Sequence, residues 1–223
     1  MKILWIRHAE SLGNQNLQMQ GQLDSLLSDQ GQQQAKLLAH YLVQSSWPPS
    51  HIYSSPLQRA AETAQILQQV WSVLDSQNSC PLDYAAELKE IHAGILQGLT
   101  WAEAKQQHPE LCAKLESTPE WVPIPEAESL QAVSDRAHQF VHYLLEAHQN
   151  CNQIWVISHG GLLPYLLAAL IGSDRVWGLQ IPPTAMFEFE LDRDRWLLPS
   201  PNIYNTTLWK IHRFNETPHL KSL

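Results

Sequence analysis

Short apolar runs alternate with longer helix-like segments along most of the chain, and this alternation constrains the fold more than any other feature. The apolar runs have strand length and fall at 2–6, 52–54, 154–158 and 185–191, with a weaker candidate at 206–214. Helix patterns lie at 28–46, 55–74, 101–116, 129–149 and 161–171. We therefore predict a three-layer α/β fold, a mostly parallel mixed sheet with helices on both faces.

One segment, 95–128, interrupts this rhythm. It holds a single helix pattern followed by the proline-rich stretch STPEWVPIPEAES. We expect it to form a small cap-like insertion within one domain over 1–223, since this length suits a single α/β core. Trp101 and Trp121 lie in the insertion, and the sequence leaves open whether they pack in a core or wall a substrate pocket.

Charge and cysteine usage narrow the possible partners. The chain has 22 acidic against 14 basic residues, a net charge of −8, which repels nucleic acid and anionic membranes. The longest apolar stretch, at 160–172, is too short to span a bilayer, and the polar residues that follow the first strand argue against a signal peptide. Three scattered cysteines, Cys80, Cys112 and Cys151, suit neither a disulfide framework nor a thiolate metal site. We expect a cytoplasmic protein; its oligomeric state cannot be read from the sequence.

Cationic and imidazole side chains follow the ends of three predicted strands. Arg7 and His8 end the first strand, Arg59 comes shortly after the second, and His159 follows the third. Because the carboxyl ends of parallel strands meet at one edge of a sheet, these side chains are expected to form a cationic pocket. Gly160 leaves room for a ligand there, and the helix after it would direct free N–H groups to the same place. Such a pocket suits a phosphate.

Four motifs, RHAESxGN, SSPLQRAxETA, ELKEIxxGxLQG and SHGG, occur in this order between residues 2 and 171. Together they resemble the histidine phosphatase superfamily, in its phosphoglycerate-mutase-like group. The resemblance implies a mixed, mostly parallel sheet flanked by helices. It also implies a metal-independent phosphomonoesterase that acts on a small phosphorylated metabolite through a phosphohistidine.

The resemblance also implies a role for each motif residue. His8 would be the nucleophile and Glu90 the acid that protonates the leaving alcohol. The implied phosphate-binding residues are Arg7, Asn14, Gly21, Arg59, His159 and Gly160. Two guanidinium groups near His8 would keep the imidazole neutral, and a backbone carbonyl on its other nitrogen would fix the tautomer. No metal or other cofactor is required, because the arginines already supply positive charge.

Two alternative functions remain open. A phosphoglycerate-type mutase must also hold the substrate carboxylate, and the resembling mutases use a tyrosine, a lysine and an arginine pair for this. Ala93 and Trp101 stand where the tyrosine and lysine would fall, and no arginine occurs between Arg59 and Arg136, so a phosphatase is favoured. A catalytically silent phospho-ligand-binding protein would be expected to lack the nucleophile or the acid. The sequence does not fix the natural substrate.

A second histidine cluster needs a separate explanation. His138 and His142 have the i, i+4 spacing of metal ligands, with His148 further along the same predicted helix. The HExxH pattern of a zinc helix is absent, so a solvated helix face is the favoured interpretation.

Overall fold

The computed structural model describes the whole chain except residues 46, 75–79, 151, 197, 199–201, 203, 206–208 and 222–223. Within the described residues, six strands form one sheet: β1 (Lys2–Arg7), β2 (His51–Ser54), β3 (Leu82–Tyr84), β4 (Gln153–Ser158), β5 (Met186–Leu191) and β6 (Trp209–Glu216). The strand order is β3-β2-β4-β1-β5-β6. Strands β1 to β4 run parallel, and β5 is antiparallel to both of its neighbours. The predicted mixed, mostly parallel sheet is confirmed.

Helices cover both faces of this sheet. Helices α2 (Asp29–Ser45) and α3 (Gln58–Leu74) pack on one face, and α6 (Leu130–Ala147) and α7 (Leu163–Ile171) pack on the other. The remaining helices of the described residues are α1 (Leu12–Gln15), α4 (Trp101–Gln107), α5 (Pro109–Ser117) and α8 (Arg193–Trp196). Single 3₁₀ turns occur at Ala86–Leu88, Gly94–Leu96 and Pro218–Leu220. In the part of the chain that is described, no helix combines the length and apolarity needed to cross a membrane.

The central strand β1 shows why the sheet needs helices on both sides. Successive side chains of a strand point to opposite faces, and here all four inner residues are fully buried. Leu4 and Ile6 pack in the cluster that contains α2 and α3, whereas Ile3 and Trp5 pack in the cluster of α6 and α7. A strand without a polar face must lie between two apolar layers, and this places the end of β1 at the centre of the molecule.

The structure departs from the predicted elements in several places, and the short helices α1 and α8 were not predicted. The helix predicted at 101–116 is two helices, because Pro109 begins α5 and the backbone of His108 leaves the helical region. The helix predicted from residue 55 begins at Gln58. Strand β3 was not predicted, since its three residues are partly or fully exposed and carry no apolar pattern. Of the weak candidate at 206–214, residues 206–208 lie outside the described residues, as does Cys151.

The segment 95–128 has its own small apolar cluster. Leu96, Ala104 and Cys112 are buried in it, and Trp101 packs against them. The Trp101 indole N–H also donates to Glu116 at 3.0 Å. Trp101 therefore packs within the insertion. In contrast, the Trp121 side chain is 54% exposed.

Candidate active site

The carboxyl ends of β1, β2 and β4 bring three polar side chains together. His8 follows β1, Ser55 follows β2 and His159 follows β4. Backbone bonds continue the strand pairing to this point: the His8 N–H donates to Ser158 at 2.9 Å, and the Ser55 N–H donates to Ile157 at 3.0 Å. The His8 and His159 rings lie 5.0 Å apart between centroids. The predicted meeting of strand ends is present.

His8 is held as a neutral imidazole with one defined tautomer. Its Nδ1 lies 2.6 Å from the carbonyl oxygen of Ala9. Since a carbonyl only accepts, Nδ1 carries the hydrogen and Nε2 keeps its lone pair. Burial, followed by the charges of Arg7 and Arg59, lowers the pKa of His8 well below its usual value. The side chain therefore has the form that a nucleophile requires near neutral pH.

Arg59 projects from the first turn of α3 and is almost fully buried. Its two terminal nitrogens donate to the carbonyls of Leu23 and Gly21, each at 2.8 Å. Burial lowers the pKa of this guanidinium, and the nearby Glu90 carboxylate partly offsets that effect. The loop at 21–23 thus fixes Arg59 with neutral partners, which leaves its positive charge available to a ligand.

Arg7, the last residue of β1, is anchored in a similar way. Its Nη1 donates to the carbonyl of Ile181. Burial lowers the pKa of Arg7, and the Glu90 carboxylate opposes this shift. A Cβ atom at Gly160 would lie 3.3 Å from Arg7 Nε, so the glycine allows the backbone to approach the guanidinium closely.

His159 has a partner that the sequence analysis did not identify. Its Nε2 lies 2.7 Å from the Ser55 hydroxyl. Ser55 precedes Pro56, which is the sequence context of a helix cap, but its hydroxyl contacts this imidazole and accepts from the Leu57 N–H, and α3 begins at Gln58. The Ser55 hydroxyl has no other acceptor among the described residues, so we assign it as the donor to Nε2, which places the hydrogen of His159 on Nδ1. Burial, followed by the neighbouring His8 and the charges of Arg59, Arg7 and Arg136, lowers the pKa of His159 well below its usual value.

Three buried nitrogens around His8 lack a hydrogen-bond partner among the described residues. They are Arg7 Nε, Arg59 Nε and His159 Nδ1. A buried donor left unpaired costs about 1–3 kcal/mol, so water or a ligand must supply acceptors for these three atoms. A phosphoryl group offers several acceptor oxygens with negative charge. The site therefore has the chemistry of a phosphate pocket.

Glu90 lies at the same edge, against the turn before α7. One carboxylate oxygen accepts from the Gly161 N–H at 3.0 Å, and the other accepts from the Ile91 N–H at 2.9 Å. A Cβ at Gly161 would lie only 2.6 Å from Glu90 Oε1, so the position accommodates no larger residue without moving the carboxylate. We expected the N–H groups ahead of α7 to face a phosphate. The Gly161 N–H instead donates to the Glu90 carboxylate.

The loop that carries Glu90 is fixed by residues that sequence reasoning missed. Arg136 donates to the carbonyls of Glu87 and Lys89, each at 2.7 Å. The Gln22 amide donates to the carbonyl of Glu90 at 3.0 Å. Nothing local in the sequence indicated these contacts, because they join residues 47 to 68 positions apart.

Asn14, Gly21 and Gly160 lie near the site in different ways. The Asn14 side-chain oxygen accepts from the Ser11 N–H at 3.1 Å, as part of the cap of α1. Gly21 has a φ of +51° and contacts Arg59 through its carbonyl. Gly160 lies beside Arg7, as described above. Their phosphate contacts stay predictions.

The second histidine cluster does not converge. His138 and His142 are exposed on α6, and the ring of His142 pairs with Glu146 at 3.2 Å. His148 is buried and contacts the Tyr53 hydroxyl at 2.9 Å. Within the described ranges, no group of three or more potential ligand side chains is placed to hold a metal ion.

The sheet is mostly parallel and covered on both faces, and its carboxyl edge carries a neutral histidine, a second histidine and two buried arginines. This arrangement is typical of the class of phosphatases that work through histidine. The sequence profile of the Histidine phosphatase superfamily (branch 1) matches residues 3–203. The chain belongs to this superfamily.

Relatives and solved structures agree with this assignment. Phosphoglycerate mutase-like protein 4 of Arabidopsis thaliana is 34% identical over 199 residues, covering 88% of this chain and 83% of the relative. Metal-independent phosphoserine phosphatase of the same plant is 32% identical over 164 residues, covering 73% of this chain and 65% of the relative. The structure of Bacillus stearothermophilus YhfR has the same fold, with a TM-score of 0.77, 24% identity and 98% coverage of both chains. The predicted superfamily, fold class and enzyme class, a histidine phosphatase, are confirmed.

Proposed function

We propose that this protein hydrolyses phosphomonoesters of small metabolites through a phosphohistidine on His8, without a metal ion. One observation carries the proposal. Three buried nitrogens without partners among the described residues surround an imidazole whose nucleophilic nitrogen is unprotonated. This arrangement binds a phosphoryl group and attacks it.

In the first step, His8 Nε2 attacks phosphorus and the bond from phosphorus to the ester oxygen breaks. Arg7 Nε, Arg59 Nε and His159 Nδ1 donate to the three non-bridging oxygens, where negative charge persists in the transition state. Glu90, entering as the carboxylic acid, gives its proton to the departing alcohol. The products are the free alcohol, phosphohistidine and the Glu90 carboxylate.

In the second step, water attacks the phosphohistidine. The Glu90 carboxylate takes a proton from the water, and the phosphorus–nitrogen bond breaks with its electron pair returning to His8 Nε2. Phosphate leaves, and both side chains regain their initial forms. The contact between Glu90 and the Gly161 N–H is exposed, so the leaving alcohol and water can both reach this carboxyl group.

The side chains around the site support hydrolysis rather than mutase chemistry. A mutase needs cations that hold a second anion, but the Arg136 fork is already occupied by Glu128 and by backbone carbonyls. Lys105 in the insertion pairs with Glu116 at 2.6 Å.

The two buried free thiols, Cys80 and Cys112, support the proposed cytoplasmic setting. The packing of 95–128 around Trp101 supports its proposed place as an insertion within a single domain.

Two assays test this function. Wild-type protein should release p-nitrophenol from p-nitrophenyl phosphate. When the reaction with an ester that carries a radiolabelled phosphoryl group is quenched, the protein should retain label that is labile in acid and stable in base. With 3-phosphoglycerate, free phosphate rather than the 2-phospho isomer is the expected product. Absence of hydrolysis with every ester contradicts the phosphatase, and formation of the isomer at a higher rate than phosphate contradicts the preference over a mutase.

A further inference from the structure

A groove with a volume of about 980 Å³ opens beside the phosphate pocket. Gly160 and Gly161 form part of its lining, so it begins next to Arg7 and Glu90. Its apolar and aromatic lining includes Trp121, Leu130, Tyr165, Val176, Trp177 and Leu179. Because Glu90 would protonate the leaving oxygen at this point, the groove lies where the alcohol part of a substrate must extend.

Several of these apolar side chains are exposed. The side chains of Trp121, Val176 and Trp177 are 54%, 40% and 44% exposed. Large apolar residues gathered at the mouth of a pocket indicate a surface that a ligand covers. The three side chains come from two separate segments, the insertion and the chain after α7, so both contribute to this surface.

The charged lining of the groove argues against a second anion. Among the described residues that line it, Asp174 is the charged group, and no lysine or arginine is present. Arg175 follows Asp174 in the chain but does not line the groove, and Arg136 is engaged by Glu128. A carboxylate placed here would lose water without gaining a counter-ion and would face Asp174.

We propose that this groove binds the alcohol part of the substrate and selects phosphomonoesters with a bulky, uncharged, aromatic or apolar group over those that carry a carboxylate. The inference rests on the proposed phosphatase function and specifies its substrate class. A volume of this size accommodates a group considerably larger than one aromatic ring.

Three aryl phosphates test the substrate class on wild-type protein: phenyl, 2-naphthyl and 4-carboxyphenyl phosphate. We expect kcat/KM to be about tenfold higher for the naphthyl ester than for the phenyl ester, because the second ring buries additional apolar surface. We expect the carboxyphenyl ester to be about tenfold poorer than the phenyl ester. The carboxylate makes the phenol a better leaving group, so slower turnover reports unfavourable contact with the groove rather than slower chemistry.

Variants assign the selectivity to the groove. Trp121→Ala and Trp177→Ala should each lower the naphthyl-to-phenyl ratio of kcat/KM several-fold, and Asp174→Asn should raise the relative rate of the carboxyphenyl ester. Trp209→Ala is the matched control, since Trp209 is an exposed tryptophan on β6 that contacts Trp196. It should keep the wild-type ratio.

The outcomes separate this inference from the function on which it rests. Failure to hydrolyse any of the three esters overturns both. Hydrolysis of all three with equal kcat/KM overturns the substrate class and leaves the phosphatase intact. If wild type prefers the carboxyphenyl ester and Arg175→Ala loses this preference, the proposed substrate class is wrong and the groove selects an anionic substrate. The wild-type comparison decides the matter even if a variant does not fold.

Discussion

Arg136 and Glu128 form a two-point ion pair behind the loop of Glu90, with Nε 2.6 Å from Oε1 and Nη2 2.9 Å from Oε2. The pair is largely buried, and the remaining nitrogen of Arg136 holds the carbonyls on the N-terminal side of Glu90. The pair thus determines where the proposed acid lies, although neither residue belongs to the phosphate pocket.

Replacing Arg136 by glutamine should impair acid catalysis selectively. We expect kcat for an alkyl phosphate to fall about a hundredfold, within the usual contribution of a general acid, and kcat for p-nitrophenyl phosphate to fall much less. The reason is that p-nitrophenolate leaves without a proton. Arg136→Lys keeps the charge but not the fork and should give an intermediate result. Equal losses with both esters would mean that Arg136 only stabilises the fold.

His8→Ala should remove turnover while binding of a phosphate analogue persists. Arg7, Arg59 and His159 remain in this variant, so vanadate should still bind with an affinity within about tenfold of wild type, as measured by calorimetry. The labelled phosphoenzyme should disappear. Hydrolysis at the wild-type rate by His8→Ala would eliminate the phosphohistidine mechanism.

Chelators should leave the activity unchanged. The positive charge at the proposed phosphate site comes from the guanidinium groups of Arg7 and Arg59, which EDTA does not remove. The measurement is kcat/KM before and after dialysis against EDTA. Loss of activity that zinc or magnesium restores would contradict a metal-independent enzyme and would make the histidines of α6 candidate metal ligands again.

His219 should make the protein less stable in mild acid. Its Nε2 lies 2.8 Å from the Thr184 hydroxyl, and burial lowers its pKa from 6.5 to about 4. Between these two values the unfolded chain binds more protons than the folded one, so stability falls as pH falls from about 6.5 to about 4. Between neutral pH and pH 5, we expect His219 to account for about 1–2 kcal/mol of this loss.

Urea unfolding at two pH values measures this effect. His219→Gln should unfold with a smaller difference in free energy between neutral pH and pH near 5 than wild type does, because glutamine does not titrate. His40→Gln is the control, since His40 is exposed on α2. Identical pH dependence in wild type and His219→Gln would show that His219 does not contribute.

Much of the site follows from sequence because strand direction determines where strand ends meet. Arg7, His8 and His159 each lie next to an apolar strand, so a parallel sheet brings them to one edge. Arg59 could be placed as well, since it follows β2 closely. The same reasoning explains why the family motifs and the apolar pattern led to the same pocket.

Other contacts were not predictable because they depend on tertiary packing. Ser55 has the sequence context of a helix cap, and only the position of His159 beside it shows where its hydroxyl goes. Arg136 resembles any helix-surface arginine until α6 is placed against the Glu90 loop. Trp101 and Trp121 occupy equivalent contexts in the sequence, yet one packs among the helices of the insertion and the other lines the groove.

The bond between His8 Nδ1 and the carbonyl of Ala9 has a consequence for redesign. The tautomer of His8, the proposed nucleophile, is set by the main chain rather than by a partner side chain, so no substitution elsewhere deletes that acceptor. Directed evolution that exchanges Trp121, Trp177 or Asp174 for new specificities can therefore proceed while the imidazole keeps its reactive form. The fold thus keeps the imidazole and its main-chain acceptor apart from the groove residues that can be varied.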